Sequence, residues 1–109
     1  MINYQQLTND DNNQLNNLIL NEGKNYENFL NIGWSSNHII SQLNKEANLS
    51  FGAFYNETLV SFIIGNLFNI EKIAEYEILL LYVSKHFRKK GLGTQLINKI
   101  IKMIIVIIR

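Results

Sequence analysis

The chain contains no cysteine, which excludes disulfide bonds and metal sites built from thiolates. Histidine is scarce as well: His38 and His86 stand far apart, so we expect no histidine metal site and no metal cofactor. Charge of one sign is not in excess either, because the net charge is only +1. That balance argues against a protein dedicated to binding nucleic acid.

Proline is also absent, and no repeat or Gly/Ser-rich linker divides the 109 residues. No apolar run reaches the ~20 residues of a membrane span, and residues 1–7 lead into an Asn- and Asp-rich stretch instead of the apolar core of a secretion signal. Hydrophobic residues still make up 47% of the chain, enough for a packed core. We expect one cytoplasmic domain over residues 1–109. Lysine outnumbers arginine 8 to 2, which is typical of AT-rich, bacterial coding sequences.

The first part of the chain favours a strand followed by a helix. Residues 1–7 predict a short strand, and Thr8 is a candidate N-cap with Asp10 and Asp11 in the first helical turn, where carboxylates suit the helix dipole. Helical spacing of apolar residues follows at Leu15, Leu18 and Ile19. We expect Gly23 to end or bend this helix.

A second helix is predicted after residues 25–33, an Asn-rich segment that indicates a loop or a poor helix. Ser35 or Ser36 can cap this second helix. Its apolar face would carry Ile39, Ile40 and Leu43.

After Asn48 the pattern changes to strands. Residues 51–55 and 59–67 predict a hairpin that turns at Asn56, Glu57 and Thr58. Residues 75–83 predict a further strand. Because it is almost entirely apolar from its fourth residue onward, we expect it to be buried on both faces.

A last helix is predicted from Gly91 onward, with an apolar face formed by Leu92, Leu96, Ile97, Ile100 and Ile101. The complete order of elements is then β-α-α-β-β-β-α. Such an order predicts a mixed α/β (α+β) fold.

The segment between the last strand and the last helix carries the chemistry. It holds four cations, Lys85, Arg88, Lys89 and Lys90, followed by Gly91 and Gly93. A helix N-terminus leaves backbone N–H groups unpaired and carries a partial positive charge. Glycines let phosphate oxygens approach those N–H groups without a Cβ in the way. Together these features predict an anion-binding cradle.

Two familiar phosphate motifs do not fit this cradle. A P-loop needs Lys-Ser/Thr directly after its second glycine, but Gly93 is followed by Thr94 and Gln95. A dinucleotide fingerprint needs a third glycine where Leu96 stands. The simpler alternative is that both glycines only open a helix and that residues 88–90 are a solvated run of charge.

The pattern Arg88-x-x-Gly91-x-Gly93 resembles the Arg/Gln-x-x-Gly-x-Gly/Ala motif of the GNAT acetyltransferases. This resemblance implies a mostly antiparallel sheet flanked by helices, with acetyl-coenzyme A as co-substrate. Backbone N–H groups at the end of the strand would face the thioester, which here means those of Leu81, Tyr82 and Val83. The residues implied to contact the pyrophosphate are Arg88, Lys89, Lys90, Gly91, Leu92, Gly93 and Thr94.

Weaker features resemble the RimI-like branch, which acetylates the N-terminal alanine of a ribosomal protein. They are the Trp34-Ser35 pair before a short helix, the hairpin, and Glu75 and Glu77 opening the long strand. A tryptophan that only anchors a helix cap explains the pair equally well. Leu80 stands where that branch often has a polar residue, so the acceptor stays open between a protein N-terminus and a small amine.

Acetyl transfer to an amine requires a base, a polarised carbonyl and a proton for the departing thiolate. Glu77 and Glu75 are the candidate bases, because residues two apart on a strand share one face and partial desolvation would raise the pKa of either carboxyl. Solvated carboxylates at a strand start are the alternative. Tyr82 is a conceivable acid, although packing within the strand is the preferred interpretation.

The last residues, 103–108, follow neither a helical nor a strand pattern. Because GNAT proteins continue past this helix, we expect a C-terminally truncated or frameshifted chain, or else a fifth strand that the β-branched residues here permit. An apolar end of this kind can also mediate self-association.

Three hypotheses follow from the sequence. The first is an N-acetyltransferase that acts on a protein N-terminus or another primary amine. The second is a catalytically inactive remnant or coenzyme A-binding module. The third is a plain nucleotide- or phosphate-binding domain outside the family.

Overall fold

The computed structural model describes residues 1–22 and 36–108. Its elements are β1 (Ile2–Leu7), α1 (Asn12–Glu22), α2 (Ser36–Ser41), β2 (Ser50–Tyr55), β3 (Thr58–Ile70), β4 (Ile73–Val83) and α3 (Leu92–Ile107). The four strands form one antiparallel sheet in the order β1-β2-β3-β4. This confirms the predicted mixed fold and order of elements. The predictions for Gly23, residues 25–33, Trp34 and Ser35 lie outside the described residues.

The entry into α1 follows the predicted capping pattern. The Thr8 side chain accepts a hydrogen bond from the Asp10 N–H at 3.3 Å, and the Thr8 N–H donates to Asp11 Oδ2 at 2.9 Å. The capping box opens a short 3-10 turn, Asn9–Asp11, which continues directly into α1. These reciprocal bonds satisfy donors that a helix start would otherwise leave unpaired.

The sheet separates two hydrophobic cores. Apolar residues of α1 and α2, among them Leu15 and Ile39, pack against Phe62 and Ile64 on one face. On the other face, the buried side of α3 packs against β2 and β3 and consists of Leu92, Leu96 and Ile100. Helices therefore cover both faces of the sheet. The predicted apolar face of α1 is confirmed, and so is that of α3 except at Ile101, which is 49% exposed. Leu43, predicted on the face of the second helix, is buried in the 3-10 turn that follows α2.

Two tight turns set the strand registers. The β2–β3 turn places Asn56 and Glu57 at φ values of 48° and 68°, and the β3–β4 turn places Glu71 and Lys72 at 50° and 69°. Two-residue turns with positive φ at both positions match the twist of antiparallel strands. The predicted hairpin is therefore confirmed, although β3 continues to Ile70 and also forms a second hairpin with β4.

β4 is not buried on both faces, and that prediction is wrong. Within the described part of the chain β4 pairs only with β3 and forms an edge of the sheet. The Ile78 and Leu81 side chains are 50% and 38% exposed. The pairing also skips a residue, because Ile64 faces Leu80 while Gly65 faces Ile78. An apolar run shows that a strand has hydrophobic side chains, but it does not show how many neighbouring elements cover them.

The C-terminal residues continue the last helix, so a fifth strand at this position is wrong. α3 extends through Ile107, and the Ile108 N–H donates to the Ile104 carbonyl at 3.0 Å. Met103 and Ile104 pack against the core, whereas Ile105 and Val106 are exposed. Among the helices that the structure describes, none is long and apolar enough to cross a bilayer.

Candidate active site

The start of α3 forms an open cradle of backbone amides. Gly91 precedes the helix at a φ of 79°, in the left-handed region that favours glycine. Its carbonyl accepts the hydrogen bond of the Gln95 N–H at 3.0 Å, so the amides of residues 92–94 come before the first intrahelical donor. No side chain of the described residues caps these amides. Apart from Gly91 and its two chain neighbours, no atom of those residues lies within 4 Å of where a Cβ on Gly91 would stand.

The four predicted cations lie in the loop that leads into this helix start. Lys85, Arg88, Lys89 and Lys90 are all exposed, and none forms an ion pair with a carboxylate in residues 1–22 or 36–108. Lys89 has a φ of 62°, which turns the chain toward the helix. The Lys90 ammonium lies 5.6 Å from the centroid of the Phe87 ring. Within the described residues, this segment thus combines amides that have no intrahelical acceptor with lysines that have no carboxylate partner, the requirements for binding an anion.

The two glycines have different surroundings. A Cβ on Gly93 would stand 3.9 Å from side-chain atoms of Leu81 and Val83, in ordinary van der Waals contact. Gly93 therefore faces the end of β4, while Gly91 faces open space. The structure brings the helix start and the strand end together, and Thr94 is exposed on the same first turn.

Arg88 folds back onto the end of β4. Its Nε donates to the Val83 carbonyl at 3.0 Å, and its Nη2 donates to the Tyr82 hydroxyl at 3.3 Å. The guanidinium carbon also lies 5.5 Å from the centroid of the Tyr82 ring. The Tyr82 ring in turn packs against Phe62, with 6.1 Å between centroids. These contacts hold the motif arginine against the end of β4.

Glu22, the last described residue of α1, contacts the end of β4 and the start of the basic loop. It was not predicted from the sequence as a site residue. Its carboxylate accepts hydrogen bonds from the Tyr82 hydroxyl at 2.5 Å, the Ser84 hydroxyl at 2.6 Å and the Lys85 N–H at 3.1 Å. One signal existed in the sequence: a carboxylate near a helix C-terminus opposes the helix dipole and needs partners elsewhere. Those partners are some 60 residues away in the sequence, and no local pattern reveals them.

The environment of Glu22 changes its acidity. Desolvation pushes the pKa of the Glu22 carboxyl upward, but the hydrogen bonds from Ser84, Tyr82 and Lys85 and the charge of Arg88 outweigh it. The net result is a pKa below the ordinary glutamate value. The carboxylate is therefore ionised at neutral pH.

A pH dependence of stability follows from this shift. A carboxyl whose pKa is lower in the folded chain stabilises the fold above its unfolded pKa, ~4.3 for glutamate, and this contribution disappears as the pH falls through the folded value. We expect Glu22→Gln to reduce the free energy of unfolding at pH 7 and to have a smaller effect at pH 3. Urea denaturation of both proteins at the two pH values measures this. An equal difference at both pH values would contradict the assignment.

The candidate bases lie farther along β4. Glu77 pairs with Asn66 and Glu75 with Phe68, and both carboxylates are exposed. Val83 is six positions after Glu77, which is about 20 Å along an extended strand. The structure therefore does not bring either glutamate to the helix start. No group of three or more His, Asp or Glu residues within the described ranges could hold a metal ion.

Comparison with known proteins supplies the remaining findings. The model of the acetyltransferase (GNAT) family matches residues 12–104, which include β2, β3, β4 and the helix start but not β1. No curated protein matches this chain.

Several solved structures share the fold. A ribosomal-protein-alanine N-acetyltransferase from Brucella melitensis biovar Abortus 2308 is 17% identical with a TM-score of 0.72, over 94% of this chain and 70% of that one. An aminoglycoside acetyltransferase from an uncultured soil metagenomic sample, in complex with sisomicin, is 20% identical with a TM-score of 0.69, over 94% of this chain and 68% of that one. The PaiA N-acetyltransferase from Thermoplasma acidophilum, in complex with coenzyme A, is 21% identical with a TM-score of 0.67, over 94% of this chain and 71% of that one.

Proposed function

Because this chain belongs to the GNAT family of acetyltransferases, we propose that it transfers an acetyl group from acetyl-coenzyme A to a primary amine. The proposed acceptor is the α-amino group of a protein N-terminus, of the ribosomal-protein-alanine type. The observation that carries the proposal is the helix start beside Gly91, which no side chain of the described residues caps and which follows a loop rich in lysine.

The cradle fits the pyrophosphate of the co-substrate. The amides of Leu92, Gly93 and Thr94 would donate to phosphate oxygens, and Gly91 leaves the space that those oxygens need. The side chains of Arg88, Lys89 and Lys90 would neutralise the two negative charges. A charged ligand gains most where cations lack carboxylate partners, as Lys89 and Lys90 do within the described chain.

The end of β4 would bind the thioester, which is the reacting group of the co-substrate. When bound, acetyl-coenzyme A supplies an activated thioester. β4 has no neighbour on its outer side within the described residues, so amides among Leu81, Tyr82 and Val83 are available to donate to the carbonyl oxygen. Glu77, with Glu75 beside it on the same face, would accept the proton of the acceptor ammonium through water.

A coenzyme A-binding module without catalysis is the second candidate. The exposure of both Glu75 and Glu77 favours it, because a solvated carboxylate is a weak base at neutral pH. The acceptor also needs a test of its own, since the similar structures include enzymes named for a ribosomal protein and for aminoglycosides.

Two assays separate these functions. Calorimetry with acetyl-coenzyme A, and with ATP as comparison ligand, tests which of the two ligands binds. Binding of ATP without binding of acetyl-coenzyme A would refute the proposal. Acetyl transfer is then measured on an Ala-initiated peptide and on sisomicin, with Glu77→Gln and Glu75→Gln as matched variants. We expect transfer to the peptide and its loss in the Glu77→Gln protein. Binding without transfer to either acceptor identifies the non-catalytic module.

A further inference from the structure

We propose that Glu22 is a positioning residue for the cofactor phosphates, because its carboxylate joins the end of α1 to the end of β4 and to the first amide of the basic loop. This inference rests on the proposed function, since it assigns Glu22 a role in binding the same phosphates. Glu22 is outside the Arg88–Gly93 pattern and lies on the opposite side of the sheet from α3.

The geometry fixes the carboxylate from several directions. Oε1 accepts from the Tyr82 hydroxyl at 2.5 Å and from the Lys85 N–H at 3.1 Å, and Oε2 accepts from the Ser84 hydroxyl at 2.6 Å. Donors on both oxygens hold a carboxylate in one orientation, and bonds to an ionised acceptor are the stronger kind. The three donors span the last residues of the strand and the start of the loop. Glu22 therefore sets the place where the basic loop leaves the sheet.

A second set of contacts extends this effect to Arg88. The Tyr82 hydroxyl has one proton, which it donates to Glu22, so its lone pairs are directed toward other donors. Arg88 Nη2 donates to that same hydroxyl at 3.3 Å, while Nε donates to the Val83 carbonyl. The hydroxyl thus connects the carboxylate to the guanidinium. Removing Glu22 frees the hydroxyl proton to rotate toward Arg88, which weakens the contact that holds the motif arginine in place.

The loop has a separate anchor that does not need Glu22. The Ser84 N–H donates to the Val60 carbonyl, and the Phe87 N–H donates to the Ser84 carbonyl, both at 2.8 Å. These backbone bonds tie the loop to β3 and form its first turn. Loss of Glu22 should therefore loosen the orientation of Arg88 and Lys85 without detaching the loop from the sheet.

The test compares Glu22→Ala with Glu22→Gln and with Asn21→Ala, an exposed neighbour on the same helix. We expect Glu22→Ala to raise the Kd for acetyl-coenzyme A about tenfold, and inorganic pyrophosphate to compete correspondingly less well. Glu22→Gln, which keeps an acceptor and can donate to Ser84, should recover most of the affinity. Asn21→Ala should bind like wild type. In the acetyl-transfer assay, the KM of Glu22→Ala for acetyl-coenzyme A should rise while its kcat changes little.

Each outcome decides one question. A wild-type protein that does not bind acetyl-coenzyme A overturns the proposed function and this inference with it. If the wild type binds acetyl-coenzyme A and Glu22→Ala has an unchanged Kd, the role of Glu22 alone is overturned. A fall in the kcat of Glu22→Ala with no change in its KM overturns that role as well. If Glu22→Ala does not fold, Tyr82→Phe removes only the connecting hydroxyl and keeps the ring. It should raise the Kd about threefold, and an unchanged Kd refutes the inference.

Discussion

A Gly91→Val protein is expected to bind acetyl-coenzyme A on the order of a hundredfold more weakly than wild type. Gly91 adopts a φ of 79° at the start of α3, where a residue with a Cβ costs ~1–2 kcal/mol and valine more because its side chain is branched. A Cβ on Gly91 meets no other atom of the described residues within 4 Å, apart from its chain neighbours, so the added side chain would occupy space that the proposed phosphate site needs. Calorimetric titration measures the loss.

Gly93→Ala is the matched control for this prediction. It also adds a side chain within the first turn of α3, but its Cβ contacts Leu81 and Val83 at ordinary distance and does not face the open space. We expect its affinity to stay within about threefold of wild type. Equal losses in the two variants would show that the effect comes from disturbing the turn in general and not from occupying the phosphate site.

Gly65→Ala is expected to destabilise the fold by at least about 2 kcal/mol. Gly65 is buried in β3, and a Cβ there would overlap the Tyr76 phenol ring and lie 2.6 Å from the backbone carbonyl oxygen of Glu77. Tyr76 cannot move away cheaply, because its hydroxyl donates to the Leu49 carbonyl at 2.6 Å. Burial raises the pKa of that hydroxyl, so it remains a donor throughout the ordinary pH range. Urea denaturation measures the change.

Gly93→Ala again provides the comparison, because its new Cβ has room. Alanine is also a better helix former than glycine, so this variant should change the free energy of unfolding by less than about 1 kcal/mol. A Gly65→Ala protein as stable as wild type would mean that Tyr76 does not pack over Gly65 as described.

The features predicted correctly from the sequence are those that depend on near neighbours. Thr8 and Asp11 identify a helix start because capping is completed within four residues. The Asn56-Glu57 turn is similarly local, and so is the helix start at Gly91. Each of these follows from a backbone requirement that only a few residue types meet.

The features that were wrong or missed depend on the surroundings of an element. The apolar run at the end of β4 indicated burial on both faces, but Ile78 and Leu81 lie on an edge strand. Residues 103–107 have no clear period because the helix they continue is partly uncovered. Glu22 was missed because its hydrogen-bond donors lie across the fold. Long-range packing decides such features, and a single sequence does not encode it in any local pattern.

The acceptor amine is determined by a different kind of information. The cradle can be predicted because phosphate binding needs backbone amides and glycine at fixed spacing. Recognition of an amine needs only a few side chains placed by the fold, and many arrangements serve. The similar structures, named for a ribosomal protein and for aminoglycosides, illustrate this on one fold.

The central claim is that the amides at the start of α3 donate to the phosphates of the co-substrate. A titration of ¹⁵N-labelled protein with coenzyme A, followed by amide chemical shifts, tests it directly. The largest shifts are expected at Leu92, Gly93 and Thr94, with smaller shifts at Lys85 and Arg88. Binding that leaves the three helix-start amides unshifted and moves signals elsewhere would contradict the claim.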